Sequence, residues 1–282
     1  MAFALLFASG LTSLNQFFSF NFNPTEGSQG AWGIGVFVAG SFLTAVPALA
    51  LSMGIGLGIG VASTTYLPKA ISRILDPFVD LLAGIPSVVY GIWAVLIIGP
   101  YFGIILNPWL ADHIGFIPGF GGFPGSSLGL GLDLSIFVLT LMALPITTLL
   151  IRDSLNAVPR DLWESGLALG ATRWEVVRRI AIPYSRRGIV SAAFLGFGRA
   201  FGETVAVAMT IGFSAQIPLN AYGYAGTMAS AMFELLDGAY GNSHFLAFLA
   251  ELGLMLFAIT FLVNIIGRRL ISNFTHFEVA GL

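Results

Sequence analysis

Two charged residues four positions apart, Arg199 and Glu203, stand inside a long apolar stretch of the sequence. This spacing places two side chains on one face of a helix. A charge at mid-membrane costs at least ~2.5–3.5 kcal/mol, so such residues usually face a cavity or a partner. A guanidinium offers a planar fork of donors that matches a tetrahedral oxyanion. We therefore predict that Arg199 contacts an anion in transit and that Glu203 keeps the binding weak, with hydroxyl contacts from Thr204 and Thr210. The alternative is that the two charges only neutralise each other between helices.

The composition indicates that these residues lie in a membrane. Of the 282 residues, 56% are hydrophobic and 9% are charged, whereas soluble domains carry about 25% charged residues. Five segments are apolar over the ~20 residues that a membrane span needs: 33–63, 79–106, 132–151, 188–213 and 245–267. A sixth, weaker span is predicted at residues 1–20, where a cleaved signal peptide is the rival interpretation.

Lysine and arginine are distributed on one side of these six spans. Eleven of the twelve fall in alternate connections, which the positive-inside rule assigns to the cytoplasm: Lys69, Arg73, Arg152, Arg160, Arg173, Arg178, Arg179, Arg186, Arg187, Arg268 and Arg269. The opposite connections contain neither residue type. We therefore expect a multi-pass protein of the cell (inner) membrane, with both termini in the cytoplasm and one transmembrane domain over residues 1–282.

Several functions are disfavoured by what the sequence lacks. There is no basic patch for nucleic acid, and no cysteine. The three histidines have no metal-ligand spacing. No nucleophile and base come together in a recognisable motif, so we expect neither an enzyme nor a cofactor. The run GIGLGIG (54–60) lies within a predicted span. It therefore favours close helix packing through Gly54 with Gly58 and Gly56 with Gly60 over a phosphate-binding loop.

The longest cytoplasmic connection, residues 152–187, has the pattern of two short helices. Gly166 and Gly170 predict a break between them, and Pro183 predicts the end of the second. Apolar residues in a short exposed loop indicate a partner surface, and here they are Leu162, Trp163, Leu167 and Trp174.

This connection resembles the docking loop of permease subunits in binding-protein-dependent ABC importers. The family pattern is Glu-Ala-Ala, a glycine three residues later, then nine residues and Ile-x-Leu-Pro. Glu164, Gly170, Ile180 and Pro183 occupy its positions, and Arg173 lies between them. The departures are Ser165-Gly166 for the alanines and Ile182 for leucine. The resemblance implies that the loop fits a groove on a separate ATPase subunit, which binds the nucleotide. Gly166 is expected to weaken the first helix by up to about 1 kcal/mol.

Two longer stretches, GIPSVVYGIWAV (84–95) and PYSRRGIVSAAFLGFGRAFGETVAVAMTIG (183–212), are similar to phosphate-specific permeases of the PstC type. The similarity extends from about residue 33 to residue 270. It implies an all-α, type I importer permease with six transmembrane helices. The implied partners are a second permease of the PstA type, two ATPase subunits and an extracytoplasmic phosphate-binding protein. Sulfate, molybdate or phosphonate is the alternative substrate, and a membrane sensor without transport is the alternative class.

Overall fold

The structure, a computed structural model, describes residues 19–23, 31–122, 125–239 and 243–279. A two-stranded antiparallel pair, β1 (Phe22–Asn23) and β2 (Ala31–Trp32), precedes the helices. The long helices are α1 (Gly35–Val61), α2 (Lys69–Gly84), α6 (Leu132–Asn156), α10 (Arg186–Phe201) and α13 (Ser243–Val279). The shorter ones are α3 (Ser87–Trp93), α4 (Gly99–Tyr101), α5 (Asn107–Ile114), α7 (Arg160–Ala168), α8 (Arg173–Val176), α9 (Ile182–Tyr184), α11 (Val205–Thr210) and α12 (Met228–Glu234).

Short π-helical turns join several of these helices without a break. They cover Ala62–Tyr66 after α1, Ala94–Ile98 and Phe102–Leu106 around α4, and Val177–Ala181 between α8 and α9. Within the described residues, four helical stretches are long and apolar enough to cross a bilayer: Gly35–Tyr66, Ser87–Ile114, Leu132–Asn156 and His244–Leu270. The prediction of an all-α membrane protein is confirmed, and the fifth predicted span is the one that is interrupted.

Two predicted boundaries were wrong for a local reason. The span predicted to begin at residue 79 begins at Ser87, because Ile85 is extended and Pro86 caps the next helix; a residue before proline is biased away from helical geometry. The span predicted at 188–213 is divided into α10 and α11 by Gly202, Glu203 and Thr204. The predicted first span at 1–20 falls almost wholly outside the described residues.

The contacts divide the chain into two compact units. Unit 1 comprises Met1–Pro47, Pro86–Leu139 and Phe201–Thr260. Its described core contains an aromatic cluster around Phe248, with ring centroids 5.0 Å from Phe22, 5.5 Å from Trp32 and 6.0 Å from Phe37. Helices α3 and α11 pack closely because Gly91 has no side chain: a Cβ there would lie 2.7 Å from the sulfur of Met209.

Unit 2 comprises Ala48–Ile85, Thr140–Ala200 and Phe261–Leu282. In this unit Gly56 and Gly60 face α6, where added Cβ atoms would lie 3.1 Å from Thr147 Oγ1 and 2.9 Å from Ile151 Cγ2. The predicted packing role of this glycine pair is confirmed. A Cβ added at Gly54 or Gly58 would have no atom within 4 Å among the described residues, so the other predicted pair packs against no helix that the structure describes.

Candidate functional site

The interruption between α10 and α11 is the local structure around the predicted pathway residues. The Glu203 carboxylate accepts a hydrogen bond from the Ala206 backbone N–H at 3.4 Å, and the Thr204 hydroxyl donates to the Gly202 carbonyl at 3.4 Å. Both side chains therefore satisfy backbone groups that the break would otherwise leave free. The expectation that Arg199 and Glu203 share one helical face is wrong, because α10 ends at Phe201. Interrupted helices at membrane depth are tolerated where they are buried in protein or line a cavity.

Arg199 is half-buried near the end of α10. Its Nε donates to the Met142 carbonyl oxygen on α6 at 3.3 Å. A guanidinium has five N–H donors, and no second partner for it is found within the described ranges. The side chain is thus fixed at one nitrogen and retains donors for another acceptor, which is compatible with contact to an anion.

Thr210 lies in a different environment from the other predicted pathway residues. It is fully buried, its Oγ1 lies 2.9 Å from Ser135 Oγ, and it donates to the Ala206 carbonyl at 2.9 Å. This hydroxyl pair joins α11 to α6 within unit 1, and the burial of Thr210 does not support direct contact with an anion. Ser135 was not among the predicted site residues, although a hydroxyl residue in an otherwise apolar run could have indicated it.

The predicted docking loop consists of α7 and the continuous segment from α8 to α9. The chain turns between them at Gly170, whose φ of +84° favours glycine. The prediction of a break at Gly166 was wrong, since this residue is buried inside α7. A Cβ at Gly166 would lie 2.9 Å from Ile180 Cδ1 and 3.0 Å from Val176 Cγ2. Glycine at this position therefore permits the two helical segments to approach closely.

A cavity of 470 Å³ lies along this helix pair and brings together two of the predicted docking residues, Gly170 and Ile180, with Gly166 beside them. Glu164, Arg173 and Pro183 are exposed, and Arg173 lines a second cavity of 350 Å³ with Trp163. The structure thus places all five predicted docking positions, together with Gly166, on one helix pair.

Apolar side chains on the same pair are exposed, as expected for a partner surface. Leu169 is 89% exposed and Trp174 is 54% exposed, and Leu162 and Leu167 are also exposed. Trp163 differs from this expectation, because it packs against the hydrophobic core of unit 2.

A capping box fixes the start of α8. The Glu175 carboxylate accepts hydrogen bonds from the Thr172 backbone N–H at 2.8 Å and from its hydroxyl at 2.9 Å, while the Glu175 N–H donates to the Thr172 hydroxyl at 3.3 Å. These bonds favour the ionised carboxylate, so they hold the pKa of Glu175 below its ordinary value. The stabilisation is present above the unfolded pKa of about 4.3 and is lost as the pH falls through the lower folded pKa.

We therefore expect Thr172→Ala and Glu175→Gln to speed amide hydrogen exchange of residues 173–176 at neutral pH. The difference in exchange between wild type and Glu175→Gln, compared at each pH, should disappear as the pH falls through the lowered folded pKa of Glu175. Glu164→Gln, which removes an exposed carboxylate from α7, is the matched control and should leave these amides unchanged. Equal exchange in wild type and Glu175→Gln at neutral pH would show that the capping box does not stabilise α8.

Apolar helices long enough to cross a bilayer, an interrupted helix and an exposed helix pair define a helical membrane protein. The chain belongs to the family of binding-protein-dependent transport system inner membrane components, whose pattern matches residues 54–275.

Three relatives carry the name phosphate transport system permease protein PstC. The protein of Mesorhizobium japonicum is 36% identical over 274 residues, covering 95% of this chain and 83% of the relative. That of Xylella fastidiosa is 34% identical over 269 residues, covering 95% and 82%. That of Haemophilus influenzae is 36% identical over 246 residues, covering 87% and 78%. The resemblance to PstC permeases is confirmed.

Solved structures of ABC transporters share the fold at lower sequence identity. A chain of the MetNI methionine ABC transporter, in a crystal form with inward facing conformations, superposes with a TM-score of 0.59 at 20% identity, covering 83% of this chain and 93% of that one. A chain of an amino acid ABC transporter crystallised with histidines gives a TM-score of 0.51 at 17% identity, covering 84% and 90%. The predicted type I importer fold is confirmed.

Proposed function

We propose that this chain is the membrane permease subunit of an ATP-driven importer and forms half of the translocation pathway for inorganic phosphate. The observation that carries the proposal is 34–36% identity to three PstC proteins over 87–95% of the chain. The exposed helix pair at 160–184 supports it independently, because that pair presents the apolar surface that docking to another subunit requires.

The proposed partners follow from the family and from this surface. Two ATPase subunits dock from the cytoplasm, one of them on α7 and α8 of this chain. A second permease of the PstA type encloses the other half of the pathway, and an extracytoplasmic binding protein delivers phosphate. The ATPase subunits bind the nucleotide, and the chain itself performs no catalysis. The distribution of lysine and arginine supports a multi-pass orientation with both termini in the cytoplasm.

For the pathway we propose that Arg199 contacts the phosphate and that Glu203 and Thr204 shape the contact at the interruption. Two observations support this assignment: the guanidinium has donors beyond the one bound to Met142, and Gly202, Glu203 and Thr204 lie between two helices rather than inside one. For Thr210 we propose a supporting role, in which its bond to Ser135 holds α11 in position.

The substrate assignment is tested by uptake into vesicles that contain the complete complex. ATP-dependent uptake of labelled phosphate is expected, and a 100-fold excess of unlabelled phosphate should suppress it while the same excess of sulfate should not. Vesicles without the binding protein are the control for leakage. Equal suppression by sulfate would show that the substrate is an oxyanion class broader than phosphate. Absence of ATP-dependent uptake of any oxyanion would contradict the transport function.

A further inference from the structure

Unit 1 has an unusual charge composition. Its sequence contains no lysine or arginine, whereas it contains seven acidic residues: Glu26, Asp112, Asp133, Glu203, Glu234, Asp237 and Glu251. A buried carboxylate in this unit therefore cannot be neutralised by a lysine or arginine of the same unit. A buried charge normally requires a partner of opposite sign or a metal ion.

Among these acidic residues, Asp133 is the one whose buried carboxylate lacks a partner of opposite charge most clearly. It lies in the first turn of α6, and both of its carboxylate oxygens are buried without a hydrogen-bond partner among the described residues. The backbone N–H of Leu134 and the side-chain amide of Asn107 lie beside the carboxylate, but neither makes a hydrogen bond of normal distance and angle with it. The backbone at Asp133 is firmly held, since its own N–H donates to the Ala221 carbonyl at 2.9 Å.

Two further buried oxygen atoms lack partners in the part of the chain that the structure describes, and Asn107, which carries one of them, is a neighbour of Asp133. One is Oδ1 of Asn107, a residue that is 1% exposed, and the other is the buried hydroxyl oxygen of Ser126. Ser126 belongs to the loop whose carbonyl oxygens pack against Gly103, one helical turn before Asn107. Carboxylate and amide oxygens are acceptors only, so what they lack is a positively charged or donating group.

Two glycines keep side chains out of the region beside the carboxylate. A Cβ at Gly131 would lie 3.0 Å from Asp133 Oδ1 and 2.6 Å from the Tyr222 carbonyl oxygen, and a Cβ at Gly125 would lie 3.0 Å from the same carbonyl. The two glycines thus keep side chains away from the space between the carboxylate and this carbonyl. A cavity of 280 Å³, lined by Gly125, Ser126, Tyr222, Gly223 and Tyr224, adjoins the loop.

We propose that Asp133, Asn107 and Ser126, with the Tyr222 carbonyl, bind a hard monovalent metal cation, sodium being the ion that fits this set. All the ligand atoms are oxygens, which disfavours soft transition metals, and no three His, Cys, Asp or Glu residues come together anywhere in the described ranges. One carboxylate balances one positive charge, whereas calcium sites usually combine several carboxylates. Carbonyl oxygens near helix ends coordinate Na⁺ in other transporters.

The experiment measures the thermal stability of the intact complex in lipid nanodiscs without phosphate, in 150 mM sodium chloride, potassium chloride or choline chloride. Sodium should raise the Tm by about 5 °C relative to choline, as expected for an ion near a hundred times its Kd. Asp133→Asn should abolish the difference. Asp112→Asn, which removes an exposed carboxylate from the same unit, should retain it. Binding of ²²Na⁺ to the wild-type complex provides a readout that does not depend on the folding of any variant.

Equal Tm in sodium and choline, together with no bound ²²Na⁺, would overturn the proposal. So would a Tm that responds to lowered pH but not to sodium, since the neutralising group would then be a proton. Protection by calcium chloride without protection by sodium would overturn the choice of a monovalent ion. A sodium-dependent Tm that survives in Asp133→Asn would refute the site even though an ion binds elsewhere.

Discussion

Replacing Arg199 with glutamine is expected to abolish ATP-dependent phosphate uptake while leaving the assembled complex intact. Glutamine retains an amide N–H that can donate to the Met142 carbonyl, so the contact between α10 and α6 is preserved in kind. It removes the positive charge and the planar fork that match an oxyanion. Loss of a hydrogen-bonded charge partner costs about 2–5 kcal/mol, which corresponds to at least a ~30-fold loss of uptake.

Two control variants and a measurement of assembly make this prediction specific. Arg199→Lys keeps the charge without the fork and should retain partial uptake. Arg268→Gln removes an exposed arginine from α13 and should leave uptake unchanged. Assembly is measured by co-purification of the subunits and by size-exclusion chromatography. Failure of Arg199→Gln to assemble would favour the alternative in which this charge serves only helix packing, and undiminished uptake would remove Arg199 from the pathway.

The spans could be predicted because burial in lipid acts on every residue of a long segment. Four of the predicted apolar segments therefore reappear as Gly35–Tyr66, Ser87–Ile114, Leu132–Asn156 and His244–Leu270. The helix breaks depend on single residues, and an average over 20 residues hides them. Pro86 and Gly202 were both visible in the sequence, but the apolar pattern continues across each.

From the sequence, only those site residues could be predicted that are unusual by their type alone. Arg199 is conspicuous because a charge in an apolar membrane segment is costly whichever way its side chain points. The burial of Thr210 depends on Ser135, 75 residues earlier, and local spacing carries no information about such a partner. Asp133 and Asn107 were overlooked for the same reason, since each lies at the end of an apolar segment and only the fold makes them neighbours.

Gly166 shows how the same residue supports opposite interpretations from sequence and from structure. In the sequence it replaces an alanine of the family pattern and predicts a weakened helix. In the structure α7 continues through it, and the absence of a side chain admits Val176 and Ile180 of the neighbouring segment. Glycine at this position lowers the helix propensity of α7 but allows it to pack closely against the neighbouring segment.

We therefore expect Gly166→Leu to uncouple ATP hydrolysis from uptake. The added Cβ would lie 2.9 Å from Ile180 Cδ1 and 3.0 Å from Val176 Cγ2, and the rest of the leucine has no space between the two segments. Overpacking of this kind costs about 1–3 kcal/mol, and it is relieved most readily by moving α7 away from α8. Because an ATPase subunit is proposed to dock on this pair, a displacement of α7 from α8 should weaken the coupling between hydrolysis and transport. Uptake should therefore fall by about tenfold or more, while basal ATP hydrolysis persists.

Gly166→Ala is the matched control for the bulk of leucine. Its single methyl group meets the flexible end of Ile180, and alanine favours the helix by about 1 kcal/mol, so this variant should retain most of the uptake. Phosphate uptake and the stimulation of ATP hydrolysis by the loaded binding protein are measured in the same vesicles. Wild-type uptake in Gly166→Leu would show that close packing of α7 on α8 is unnecessary for coupling. Equal losses in both variants would instead mean that even a single methyl group at this position prevents the close packing of α7 on α8.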